Sequence, residues 1–309
     1  MKFALSSLVI ATHLVSTLAL AQESKTDVQV GSASSEMKLK NALKNKKFAE
    51  DKDITDAKLQ AESGSVSRYS LKFNLAYYGP ILNDLSAQDQ PNPDGGNQPV
   101  ETAIAGSLGM RYRMSPATSI SIGTGIKAVH PFGDQDRFDI NSPFASYDML
   151  SRIGDVQMRN SPGIGYVTLP NYVKAGQYGS LSYDLSAVYN FGTSGWAVGT
   201  DANVGVYLYN RDYVASDKKA SSYSLSFAPN VKYNFSDTFS ANTSVGMAWW
   251  NARSNDNDYA LWNKTITERV GLGYAYTRDI YFAPYINMYP TRLALDTSTI
   301  NVATIFSLL

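Results

Sequence analysis

Histidine is where acid–base chemistry would have to start, and this chain of 309 residues has two. His13 falls in an apolar leader, which leaves His130 as the sole candidate for a Ser-His or Asp-His mechanism. It sits directly before Pro131, at the end of an alternating segment, where a structural role competes with a catalytic one. Cysteine is absent, so one histidine and no thiolate provide no transition-metal ligand set of normal spacing, and no cofactor is expected. The oxygen-rich segments 134–136 and 254–258 lack the glycine turn and distal glutamate of a calcium loop and read as solvated. The sequons at Asn234, Asn242 and Asn263 fall within strand-like segments and read as accidental.

The remaining chemistry is charge placed at alternate positions. From Tyr69 the residues Tyr69, Leu71, Phe73, Leu75 and Tyr77 alternate with Ser70, Lys72, Asn74 and Ala76, the period-two pattern of a strand with one apolar and one polar face. Similar segments cover 66–78, 102–114, 118–130, 178–191, 196–209, 223–235, 239–250, 262–276, 280–289 and 298–308. On their polar faces lie Lys72, Arg111, Arg113, Lys127, Lys232 and Arg269, opposed by Glu101, Asp184 and Asp201. A strand of about 13 residues is about 43 Å long and, tilted by about 40°, rises roughly 33 Å, enough to cross a bilayer. Charged residues make up 17% of the chain and tyrosines number 21; a soluble domain carries about 25% charge, whereas membrane barrels concentrate aromatics at both interfaces.

Connections alternate in length. Those at 115–117, 192–195, 236–238 and 277–279 are tight, and the others are longer and polar, the asymmetry between periplasmic turns and outer loops. The stretch 131–177 reads as one large extracellular loop, because Pro162 and its polar neighbours disfavour a strand; the alternative is two further strands. Two outward positions are awkward: Lys264 can snorkel, but Glu268 in lipid requires a bulge.

Residues 1–21 have the basic start, apolar stretch and Ala19-Leu20-Ala21 end of a cleaved secretory leader. Its removal takes one lysine from the 27 basic and 27 acidic residues, leaving a net charge near −1 and nothing that suggests a nucleic-acid partner. Segment 22–65 mixes both charges; Met37, Leu39, Leu43 and Phe48 form only a thin helical stripe. It reads as a solvated, partly helical periplasmic arm, the alternative being an arm that plugs the barrel or meets a partner.

On these features the chain, over 66–309, resembles a Gram-negative outer-membrane β-barrel, porin-like in the broad sense. The resemblance implies an all-β, closed antiparallel transmembrane barrel of about ten strands, or twelve. Such barrels often end in phenylalanine, whereas here Phe306 is followed by three residues. The Asp-x-His pair of the ten-stranded omptin proteases and the histidine–serine motif of outer-membrane phospholipases are absent, so no enzyme is expected. The expected role is passive passage of small polar or anionic solutes. A non-conducting structural or surface-interaction barrel is the alternative, and an outer-membrane hydrolase a distant third. The partners are the lipid bilayer and the solute; oligomeric state is open. Lys72, Arg111, Arg113, Lys127, Asp184, Asp201, Lys232 and Arg269 are the expected lumen-lining residues. Charge reversal at Arg111 and Arg113 is expected to shift ion selectivity.

Overall fold

A strand in lipid must place every backbone N–H and C=O in a ladder, and an edge cannot be left open. The computed structural model meets this with one closed ring. It describes residues 54–90, 100–133, 137–210, 221–252, 261–263 and 265–308. Twelve strands form the wall: β1 (Tyr69–Ile81), β4 (Ala103–Arg113), β5 (Thr118–Val129), β6 (Arg137–Ile153), β7 (Val156–Tyr166), β8 (Gln177–Asn190), β9 (Trp196–Tyr209), β10 (Ser221–Asn234), β11 (Phe239–Ala252), β13 (Thr267–Thr277), β14 (Ile280–Met288) and β15 (Thr299–Leu308). Short pieces β2 (Asp89–Gln90), β3 (Val100–Glu101) and β12 (Trp262–Asn263) lie in the long connections. Each wall strand pairs antiparallel with its sequence neighbours, and β1 pairs with β15 to shut the ring.

The outer face is apolar where a soluble protein would be polar. Met110 is 66% exposed and Ile122, its partner on β5, 64% exposed. Side chains of this kind facing outward around the ring define a lipid-facing surface. At the tight-turn end a belt of rings surrounds it: Tyr189 lies 5.0 Å from Phe191, Trp196 5.0 Å from Tyr233, and Phe235 5.4 Å from Phe239. Amphipathic and aromatic rings favour the boundary between hydrocarbon and headgroups. The C-terminal strand is complete despite its unusual ending. Leu71 pairs with Leu308, and Phe306 packs on Phe282 at 5.4 Å.

The closed antiparallel barrel has twelve strands, the stated alternative to ten, because the stretch 131–177 contains the β6–β7 hairpin instead of one large loop. A β-bulge hides β6 from period-two reading. The register on β5 shifts between Thr124 and Gly125, with Ser142 at a φ of 20°, so the outward parity of Phe138 and Ile140 passes to Pro143 and Ala145. One inserted residue reverses the faces of all that follow it. Pro162 is accommodated within β7. The β6–β7 register is the same on either side of it, from Ser146↔Gly163 to Met149↔Asn160, with the intervening positions unpaired, while Pro162 still lies opposite Tyr183 on β8. Proline has no N–H to donate, and here it gives up one ladder only.

Glu268 keeps its outward parity, beside Val245 and two before Val270. β12 (262–263) pairs with β11 ahead of it, the register on β11 shifts by one residue before β13 begins at Thr267, and Glu268, second in β13, lies half-buried opposite Val245. Lys264 lies outside the described residues.

Arginine placed on the lipid face should test this register. Ile122→Arg, well inside β5, should destabilise the barrel by roughly 2–4 kcal/mol. Denaturant unfolding from phospholipid vesicles would measure the loss, and an unchanged midpoint would contradict the outward assignment.

Candidate functional site

The segment just before β1 is inside the ring. Residues 54–65, read from sequence as the end of a solvated arm, are packed into the lumen, where Ile54 is 2%, Leu59 1% and Ala61 0% exposed. The stripe Met37, Leu39, Leu43 and Phe48 lies outside the described residues. A short helix, α1 (Ala57–Ser63), forms locally for clear reasons. Asp56 caps its start by accepting from the Leu59 N–H at 3.1 Å, and Gly64 ends it at a φ of 72°. A carboxylate at the N-cap satisfies an otherwise unpaired N–H, and glycine takes the left-handed turn without strain. A Cβ at Gly64 would also collide with the Arg111 guanidinium.

Apolar contacts anchor α1 on two walls. Ala61 meets Ala275, Tyr281 and Ile305, and Leu59 with Ile54 meets Leu150. The polar contacts are more specific, since each charge of the segment meets an opposite charge on the wall. Asp56 pairs with Lys232; Lys58 Nζ donates to Asp201 at 2.8 Å; Glu62 lies 3.7 Å from Arg159. Burial alone would lower the Lys58 pKa, but Asp201 and Glu62 outweigh it and hold the ammonium above its ordinary range. Lys58 therefore stays charged through the physiological range, and raising pH from 6 to 9 should leave its contact intact.

Arginine and lysine on the wall also hold the backbone of this plug. Arg113 donates to the carbonyls of Ser63, Gly64 and Ser65, each at 2.9 Å, and to Pro116 at 2.6 Å. Lys72 Nζ donates to the Glu62 carbonyl at 2.7 Å, and Arg278 to that of Gly64 at 2.7 Å. Gln157 accepts from the N–H groups of Thr55 and Asp56 at 2.7 and 3.0 Å and donates to the Thr55 hydroxyl at 2.9 Å. These partners stand close to the tight turns, so the plug occupies that end of the barrel.

The eight residues expected to line the lumen are thus placed differently from one another. Lys72, Arg113, Asp201 and Lys232 converge on the plug. Arg111 lies beside it and donates to Ser119 at 2.8 Å. Lys127 is at the long-loop end, 3.5 Å from Glu101. Asp184 accepts from Asn203 at 2.7 Å on the wall, and Arg269 stands over the Tyr285 ring at 5.2 Å. Sequence reading missed Asp148 and Arg159, which pair at 2.5 Å, and Gln157, because all three lie in the stretch taken for a loop. It missed Asp56, Lys58 and Glu62 because their segment looked solvated. One signal was available: basic residues outnumbered acidic ones on the wall, and a mixed-charge segment ending in Gly64 immediately preceded β1.

His130 lies at the long-loop end, Nε2 3.5 Å from Asp89 Oδ1. Among the described residues, no group of three or more His, Cys, Asp or Glu could hold a metal ion. The segments 134–136 and 254–258 lie outside them.

Fold and lumen together define a closed transmembrane β-barrel of twelve strands with an internal plug. Among solved structures similar in fold are an outer-membrane channel from Pseudomonas putida F1 (12% identity, TM-score 0.47, covering 79% of this chain and 97% of that one) and the NanC porin (9%, 0.43, 77% and 98%). A third is the KdgM porin in complex with disordered oligogalacturonate (9%, 0.42, 78% and 99%). No protein-family model and no curated protein matches the chain.

Arg113→Ala would take this donor from the Ser63 and Ser65 carbonyls and leave that of Gly64 with Arg278. It should cost about 3 kcal/mol of barrel stability, as for other buried charge-assisted contacts, and should speed proteolysis within 54–65. A variant with wild-type unfolding and wild-type protease resistance would contradict the anchoring role.

Proposed function

We propose that the protein is a porin-like passive channel of the outer membrane for small polar solutes, delivered there by a leader cleaved near residue 21, with the plug as its constriction. The observation that carries this reading is a succession of cavities through the lumen. One of about 510 Å³ opens at the tight-turn end and one of about 220 Å³ lies beside α1, and Asp56 and Lys232 border both. Asn74 borders the second and a third of about 310 Å³. Ser180 borders that one and a fourth of about 620 Å³ at the long-loop end. The Asp56–Lys232 pair stands where the first two meet, so it is the neck of the route.

Arg111 and Arg113 are held by the wall and the plug, which makes them poor candidates for selectivity. Arg269 lies within the route, and its guanidinium supports a preference for anions beside the neck. A specific observation also favours a second reading, a barrel closed to ions: the plug is tied to strands all round the ring.

Planar-bilayer recordings of the purified protein separate the two. The channel reading expects reproducible small openings, a conductance raised by about twofold or more in Lys58→Glu, where like charge faces Asp201, and a reversal potential moved toward cations in Arg269→Glu. A silent protein whose Lys58→Glu variant is also silent would sink it in favour of the closed barrel.

A further inference from the structure

The cavity at the long-loop end differs in chemistry from the rest of the lumen. The space beside α1 is bordered by Asp56, Lys58, Asp201, Lys232 and Arg269, and the next by Lys72, Arg159 and Asp184. The outer cavity, of about 620 Å³, has no charged side chain among the described residues that line it. Tyr172, Tyr207, Tyr209 and Trp250 stand on its wall, with Gln177 and Asn203 and a set of serines between them. Its volume lies within the roughly 300–1,000 Å³ of small-molecule pockets.

The rings are set in place by the strands that carry them. Tyr207 and Tyr209 are two apart on β9 and share its inner face. The Tyr209 hydroxyl donates to the Ser221 carbonyl at 2.6 Å, and the Tyr207 hydroxyl and Ser224 Oγ share a hydrogen bond of 3.0 Å. A Cβ added at Gly205 would meet the Tyr207 hydroxyl at 3.5 Å, so the hydroxyl end of this ring lies against the wall beside a residue with no side chain. The rest of the ring lines the cavity. Ser224 sits between the two aromatic strands, opposite Gly205 on β9 and Trp250 on β11.

Ring faces accept apolar C–H surface, whereas neutral hydroxyls and amides exchange hydrogen bonds with other hydroxyls without desolvating an ion. A wall with both and no charge suits a ligand that is itself uncharged, rich in hydroxyls and apolar on its faces. We propose that this outer vestibule is a binding site for neutral carbohydrate of mono- or disaccharide size, its C–H faces on Tyr207 and Trp250 and its hydroxyls toward Asn203 and Gln177. Binding stands on the vestibule alone, whereas its role in loading a solute rests on the channel reading above.

The test is saturation-transfer NMR on the full chain in micelles of an amine-oxide detergent, which has no sugar headgroup to compete, with maltose and glucuronate as probes. Maltose should show transfer, glucuronate should bind several-fold more weakly, and Trp250→Ala should weaken maltose about fivefold, the loss of one stacking face. Trp250→Phe, which keeps a ring, should stay near wild type and controls for folding. Absence of maltose transfer, equal or tighter glucuronate binding, or equal binding in Trp250→Ala each overturns the proposal. Bilayer recordings keep the readings apart: maltose binding with both the wild type and Lys58→Glu silent sustains the site and removes the channel, and openings without maltose binding do the reverse.

Discussion

Everything in this structure depends on satisfying backbone hydrogen bonds where no water is present. In hydrocarbon an unpaired N–H or C=O costs several kcal/mol, so the sheet must close, and the pairing of β1 with β15 completes the ring. Closure then fixes the side chains. Since faces alternate, the apolar set must be outside, and the polar set is gathered into a narrow interior. An interior of this size gathers charges from nine of the twelve strands, all but β11, β14 and β15, and each of those charges needs a partner.

The plug supplies a large part of that partnership. Lys232, Asp201 and Arg159 face Asp56, Lys58 and Glu62, while Arg113 and Lys72 reach backbone carbonyls. The attachment is mostly polar, with small apolar contacts at Leu59 and Ala61. Wall charges that look like a selectivity filter when read alone thus act in good part as the seat of a segment of the same chain. The cavities left around α1, not the whole bore, become the route available to a solute.

Legibility from sequence followed local regularity. The strands with unbroken alternation, such as β1 and β9, could be read by parity with their faces correct. β6 could not, because the bulge at Ser142 reverses its faces midway, and β7 was masked by Pro162, whose effect is confined to one ladder. The lumen residues on regular strands were identified, but what they do there was not. Lys72 and Lys232 carry no local mark of a partner that lies 10 and 176 residues away in the chain. The plug stood only as the alternative reading of segment 22–65, because its seven-residue helix is too short to show an apolar face and its burial comes from the barrel around it.

Residues 54–65 sit inside the folded barrel at its tight-turn end. Because the chain has no cysteine, Ala61→Cys can be labelled alone with a charged thiol reagent, before and after unfolding. Protection is expected in the folded barrel and full labelling once it is unfolded. Labelling of the folded protein as fast as that of a cysteine in an exposed turn, such as Thr193→Cys, would contradict that placement.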